Sequence, residues 1–168
     1  MTCPMGSVST GTLKADDLLA AFSSALYDLV LEHDAPPRGI YATDATPRDD
    51  HLRLLGKAAA LYELEMPDHE TVAEHIDGVL DELREALDEY AAPYFYFGAS
   101  TGDGADFGFW LHDDACQLIV DGGGLSVSDL ADVPEDFRGE ALVINDHGNA
   151  TLYACDGNGA PVAVWAVV

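Results

Sequence analysis

The sequence is poor in basic residues: its 168 residues include only 7 lysines and arginines, against 31 aspartates and glutamates. The formal net charge is therefore -24 at pH 7. A domain with this imbalance repels nucleic acid and anionic membranes, so we expect direct binding to neither. Such charge is usually compensated by salt, by bound cations or by a basic partner surface. We therefore expect the partner to be a basic protein.

Cysteines and long apolar runs are also scarce. Cys3, Cys116 and Cys155 are odd in number and far apart, and none belongs to a CxxC pair. This spacing argues against a disulfide framework or a zinc knuckle and favours a reducing compartment. The first residues have neither the basic segment nor the apolar run of a signal peptide, and no apolar stretch is long enough to span a bilayer. We expect a soluble, cytoplasmic protein.

The common catalytic signatures are missing as well: the sequence has no GxSxG, no HExxH and no H-x-E with PCxxC. The glycine-rich segment 98–106 lacks the lysine of a phosphate-binding loop, and its Asp103 and Asp106 would repel a phosphate. Asp103 and Asp106 offer oxygen ligands for a cation. His112 and His147 each lie beside a carboxylate and are candidates for a general base or a metal ligand. These four residues are the candidate site of a small cation-dependent enzyme. That enzyme is one alternative. The main expectation is no catalytic residue, no metal and no cofactor.

What the sequence does contain, before Pro93, is a helical apolar period. It predicts three helices: residues 13–33, a second from Asp49 or Asp50 to about Met66, and a third that is capped by Asp68 and continues to Tyr90. The pair Pro36 and Pro37 closes the first helix. Residues 1–12 are expected to be disordered, and 13–92 form the helical part.

After Pro93 the pattern is typical of β-structure. The predicted strands are 94–97, 107–111, 117–120, 141–144, 151–155 and 162–168. The first two form a hairpin and the last three a meander with tight turns at 145–149 and 156–159, whereas 126–136 should hold little regular structure. The predicted fold is a single α+β domain over 1–168, in which the three N-terminal helices pack on one face of a C-terminal antiparallel sheet, residues 93–168.

The predicted third helix carries a line of acids. At steps of three or four residues, one helix face receives six carboxylates, those of Glu70, Glu74, Asp77, Asp81, Glu85 and Asp88. One turn of a helix rises ~5.4 Å, and one strand of DNA rises ~3.4 Å per phosphate. The carboxylates are therefore spaced somewhat more widely than the phosphates, but they form a continuous line that fits a basic groove built for nucleic acid. The alternative interpretation is that the line is only the solvated face of an amphipathic helix.

A salt-adapted source is a second alternative. Proteins from saline cytoplasm carry a surplus of acids with few lysines, and here 2 lysines stand against 5 arginines. The acids are also spread along the chain, with 19 acidic and 6 basic residues through Ala92 and 12 acidic and 1 basic after it. This alternative leaves the function open.

Three sequence strings after Pro93 carry a resemblance: YFGA at 96–99, GDGADFGFW at 102–110 and NDHGNATLY at 145–153. In combination they resemble a group of small phage and prophage proteins without an assigned activity. The resemblance implies a phage context, in which small acidic proteins often inhibit host nucleases, including anti-CRISPR and anti-restriction proteins. We therefore expect a non-enzymatic acidic inhibitor that mimics nucleic acid and occupies the basic groove of a host defence complex in the host cytoplasm.

Overall fold

The computed structural model describes residues 4–33, 48–63 and 69–167, with the backbone alone for 62, 63 and 69–74. The helices in these ranges are α1 (Ala15–Glu32), α2 (Arg48–Glu63), α3 (His69–Asp88) and α4 (Ala115–Asp121). The strands are β1 (Gly6–Ser9), β2 (Phe95–Ala99), β3 (Phe107–Leu111), β4 (Leu125–Val127), β5 (Arg138–Ile144), β6 (Ala150–Asp156) and β7 (Val162–Val167). The Pro36–Pro37 pair, Met66 and the predicted cap Asp68 lie outside the described residues.

The chain divides into two compact units, Met1–Leu111 and His112–Val168. The first unit holds α1 to α3 and a three-stranded antiparallel sheet of order β1-β3-β2. An aromatic cluster joins helix to sheet, because the ring of Phe22 on α1 lies edge-on to Phe97 at 5.1 Å and to Phe107 at 5.5 Å between centroids. The predicted hairpin of β2 and β3 is confirmed.

Pro93 marks a sharp turn between α3 and β2. The backbone N–H of Phe95 donates to the carbonyl of Ala92 at 2.9 Å, and Tyr94 adopts a φ of 68°. Proline at the second position and a positive φ at the third are typical of a type II turn. The burial of the Tyr94 side chain offsets the strain that a residue other than glycine meets in this conformation.

The expectation of a disordered N-terminus is wrong for Gly6–Ser9, which form β1 and pair with β3. The pairing depends on a close backbone approach at Gly108. A Cβ built on Gly108 would lie 2.2 Å from the carbonyl oxygen of Gly6, so only glycine lets the two strands meet here. The GSVS sequence of β1 does not by itself predict this pairing. The strand with which it pairs, β3, lies about a hundred residues away along the chain.

The second unit is a four-stranded sheet of order β4-β5-β6-β7. The predicted meander is confirmed, since β5, β6 and β7 pair antiparallel in sequence order. Leu142, Leu152 and Trp165 form one buried row across the three strands. The sheet is not purely antiparallel, because β4 pairs parallel to β5.

The predicted strand at 117–120 is wrong: these residues belong to α4. The reason is the glycine triplet that follows. The backbone N–H of Gly124 donates to the carbonyl of Ile119 at 2.8 Å, and that of Gly123 donates to Val120 at 2.9 Å. With Gly123 at a φ of 87°, these bonds form the Schellman motif that ends helices. A short apolar run alone does not distinguish a buried strand from a helix.

The α+β class is confirmed, but the arrangement is corrected in two respects. One helix, α4, lies after Pro93, and the strands form two sheets instead of one. The segment 126–136, expected to be irregular, contributes to β4 and a short 3-10 helix at Leu130–Asp132. That the two units fold as a single domain stays a prediction. No helix in the described ranges is long and apolar enough to cross a membrane.

Candidate interaction surface

The predicted acidic line lies on the outer side of α3. Of its six carboxylates, those of Asp77, Asp81, Glu85 and Asp88 belong to described side chains, and all four residues are exposed. The side chains of Glu70 and Glu74 lie outside the described residues. The opposite side of the helix is buried in the first unit through Ile76, Val79, Leu80, Leu83 and Leu87. The separation of the two faces follows the 3.6-residue period of the sequence.

The cations of α2 and α3 leave part of this line uncompensated. Arg84 pairs with Asp81 at 3.1 Å, and Lys57 on α2 pairs with the neighbouring Glu82 at 2.6 Å. Both pairs are exposed, so each contributes little to stability. In the described part of the chain, the carboxylates of Asp77 and Glu85 have neither an ion pair nor a hydrogen bond, and both residues are exposed.

Asp88, the last of the line, has a structural role in addition to its exposure. One of its carboxylate oxygens accepts a hydrogen bond from the backbone N–H of Phe97 at 2.7 Å. This bond joins the end of α3 to β2. The three acids before it form what we call the α3 acidic face: Asp77, Asp81 and Glu85.

A buried polar cluster lies between the helices of the first unit, and sequence reasoning missed it. Its centre is Tyr90, whose side chain is fully buried. The Tyr90 hydroxyl lies 3.1 Å from Nδ1 of His51, and the ring of His33 packs 5.8 Å from that of Tyr90. Burial raises the pKa of Tyr90, the Glu89 carboxylate raises it further, and the Arg48 guanidinium acts in the opposite direction.

In the described part of the chain, three of the four ring nitrogens of the two histidines in this cluster have no hydrogen-bond partner. His33 is 6% exposed and His51 is 2% exposed. Both ring nitrogens of His33 and Nε2 of His51 are buried without a hydrogen-bond partner in the described part of the chain. Nε2 of His51 lies 3.7 Å from the Glu89 carboxylate, too far for a hydrogen bond. The sequence contains one sign of this cluster: His33 continues the apolar stripe of α1, which places a histidine on the buried side of the helix.

The four residues of the alternative enzyme belong to two different units. Asp103 accepts the backbone N–H of Ala105 at 3.0 Å. Oδ2 of Asp106 accepts the hydroxyl of Ser7 on β1 at 3.1 Å, whereas Oδ1 of Asp106 is buried without a hydrogen-bond partner among the described residues. His112 and His147 belong to the second unit, whereas both aspartates belong to the first. Among the residues that the structure describes, no group of three or more histidines, cysteines and acids could hold a metal ion.

Other aspartate and asparagine side chains in turns also accept backbone N–H groups of the same turn. Asp129 accepts the backbone N–H of Ala131 at 2.9 Å, and Asp156 accepts that of Asn158 at 2.8 Å. Asn145 accepts two such bonds, from His147 and Asn149, which closes the turn between β5 and β6. These side chains stabilise Asx turns. They are not arranged around a common ligand.

The second unit also has an open groove of about 820 Å³, lined by Leu130, Val133, Pro134, Phe137, Cys155 and Pro161 among others. Burial raises the pKa of the Cys155 thiol, and the adjacent Asp156 carboxylate raises it further. A raised pKa leaves less of the thiolate, which is the reactive form of a cysteine. The lining of the groove also includes Glu135, Asp136 and Asn158.

Among the described residues, the strongest candidate site is thus the α3 acidic face, a row of exposed carboxylates on one helix. No protein-family model, curated protein or solved structure matches this chain.

Proposed function

We propose that this protein is a non-enzymatic acidic inhibitor that docks the α3 acidic face in the basic nucleic-acid-binding groove of another protein. The observation that carries the proposal is the spacing of Asp77, Asp81 and Glu85, three exposed carboxylates at intervals of four residues on one helix. The helix holds them in a fixed row because its other side is buried in the first unit.

The row is electrostatically costly, which favours a binding role. Like charges four residues apart on a helix destabilise it by a few tenths of a kcal/mol per pair, and the favourable arrangement would place a lysine or arginine at one of the two positions. Four residues of helix rise ~6 Å, which is wider than the ~3.4 Å axial rise per phosphate in one strand of DNA. The row is nevertheless continuous, so a groove lined by arginines and lysines can contact its carboxylates in succession. Docking would release the anions bound in the groove, and the long-range field of the protein would speed the encounter.

The resemblance of residues 96–153 to phage and prophage proteins supports a target class. We propose that the groove belongs to a host defence complex, either a CRISPR effector or a restriction enzyme, and that inhibition takes place in the host cytoplasm. The Asx turn at Asp103 supports the non-enzymatic part of the proposal, since this carboxylate of the alternative enzyme holds a backbone conformation.

The proposal is tested by displacement of DNA. A fluorescein-labelled duplex is bound to a purified CRISPR effector and, separately, to a restriction endonuclease, and the protein is added as a competitor. The test variant carries Asp77→Asn, Asp81→Asn and Glu85→Gln. A matched control carries Asp113→Asn, Asp132→Asn and Glu135→Gln, which remove the same charge from exposed positions of the second unit.

The test variant should displace DNA at least about tenfold less well than the wild type, with a flatter dependence on salt, because fewer ions are released. The control variant should compete nearly as well as the wild type. Equal losses in both variants would show that only total charge matters, and a wild-type protein that displaces DNA from neither enzyme would refute the proposal.

A further inference from the structure

The outer edge of β7 is an exposed strand edge in the second unit. Strand β7 ends the sheet order, with β6 on one side and no described strand on the other. Five of its six residues are exposed and Trp165 is buried. Val162 is 67% exposed, and Val164 and Val167 are more than one-third exposed. An apolar strand edge of this kind presents unpaired backbone groups to any chain that can pair with it.

Of the two edges of this sheet, β7 is the less protected. Natural edge strands usually carry a lysine or another charge, or are very short. The opposite edge, β4, is three residues long and packs against α4. The sequence of β7, VAVWAV, contains no charged residue. Its one protective feature is the bulge at Val164, where the register with β6 shifts.

Charge around the edge indicates what can occupy it. Ala150 pairs with Val167 and follows the turn that contains the exposed Asp146. At the other end, Ala154 pairs with Val162, and the exposed Asp156 ends β6 two residues later, opposite Arg138 of β5. The whole unit 112–168 has ten acidic residues and one basic residue, Arg138. A second copy of this chain would bring two acidic units together, and two net charges of -24 would oppose its approach.

We infer that β7 is a strand-docking edge that accepts an extended, basic segment of a partner protein and extends the sheet by one strand. Backbone hydrogen bonds would supply the affinity of such strand addition, and side chains would supply the specificity. Six residues of strand span ~20 Å. The preferred segment is therefore apolar in its middle and carries lysine or arginine at both ends, because the unit that offers the edge has ten acidic residues and one basic residue.

This docking edge goes beyond the proposed function, because it lies in the other unit from the α3 acidic face. It is tested with a defined probe: a fluorescein-labelled peptide of alternating valine and threonine with two lysines at each end. A second peptide has the same sequence with alternate backbone amides N-methylated, which removes strand hydrogen bonds and keeps the charge. A third replaces the lysines with glutamates. Binding is followed by fluorescence anisotropy, and the amides of Val162–Val167 are followed by hydrogen exchange.

The first peptide should bind at least about tenfold more tightly than either of the others, and it should slow exchange in β7. The variant with Asp77→Asn, Asp81→Asn and Glu85→Gln should bind the peptide as the wild type does, so this result and that of the DNA displacement are independent. Equal binding of the N-methylated peptide, or unchanged exchange in β7, would overturn the inference. So would a dimer that protects β7 without any peptide, because the occupant would then be a second copy.

Discussion

The carboxylate of Asp88, at the end of α3, accepts the backbone N–H of Phe97 in β2 at 2.7 Å. The bond bridges the Pro93 turn and joins helix to sheet. Asp88 differs in this respect from Asp81 on the same helix face. In the described part of the chain, the carboxylate of Asp81 bonds only to the exposed side chain of Arg84. Two carboxylates that look equivalent in the sequence therefore differ in what they stabilise.

Asp88→Ala should lower the free energy of unfolding by about 1 to 3 kcal/mol, because it leaves the N–H of the buried Phe97 without its partner. Asp81→Ala is the matched control and should change stability by less than about 0.5 kcal/mol. Urea denaturation of both variants measures the difference. Equal effects would contradict a structural role for Asp88.

Tyr90 should make the protein sensitive to alkali. Its pKa is raised in the folded protein, so the folded state keeps the phenolic proton that the unfolded chain loses at about pH 10. The stability from this difference is fully present below the unfolded pKa and is lost as the pH rises through the folded pKa. The free energy of unfolding should fall more steeply above about pH 10 in the wild type than in Tyr90→Phe. Parallel pH profiles would contradict this prediction.

His33→Leu should leave stability unchanged or raise it. The substitution keeps an apolar side chain in the stripe of α1 and removes two ring nitrogens that have no hydrogen-bond partner in the described part of the chain. A buried polar group without a partner costs about 1 to 3 kcal/mol. Thermal unfolding of the variant gives the sign. A loss of more than about 1 kcal/mol would show that His33 makes a hydrogen bond in solution, for example to a buried water.

The two hairpin glycines of the second unit should respond differently to alanine. Gly148 and Gly157 both have positive φ, 82° and 70°, as expected for these turns, so alanine at either should cost about 1 kcal/mol. A Cβ on Gly148 meets open space, whereas one on Gly157 would lie 2.8 Å from the carbonyl oxygen of Asp136. Gly157→Ala should therefore be the more destabilising of the two in urea denaturation. The reverse order would contradict the turn geometry.

Salt distinguishes self-repulsion from adaptation to a saline source. If the net charge of -24 strains the fold, the Tm should rise between 0.01 M and 0.1 M salt, where the Debye length falls from ~30 Å to ~10 Å, and should change little above that. A Tm that keeps rising into molar salt would favour the salt-adapted alternative. Differential scanning fluorimetry across this series gives the answer.

Local sequence patterns predicted the elements whose signals are local. The apolar period predicted α1 to α3, and alternation with turn residues predicted the β2–β3 hairpin and the β5–β7 meander. These elements share a cause: the side chains that drive them recur within one or two turns of helix, or on one side of a strand. The exposure of Asp77, Asp81 and Glu85 followed from the same period.

Tertiary structure decided everything that depends on contact between distant residues. Gly108 accepts β1 as a neighbour only because the backbone of Gly6 arrives there, and Tyr90 meets His51 across 39 residues of chain. The end of α4 is an exception, because the adjacent glycine triplet ends the helix through local hydrogen bonds, although the apolar run by itself is compatible with a strand. The sequence by itself determined the α+β class and the acidic helix face. Packing decided how the strands divide into two sheets, that His33 and His51 are buried, and that Asp88 bonds to Phe97. In each case the contacting residues are too far apart in the sequence for a local pattern to specify the contact.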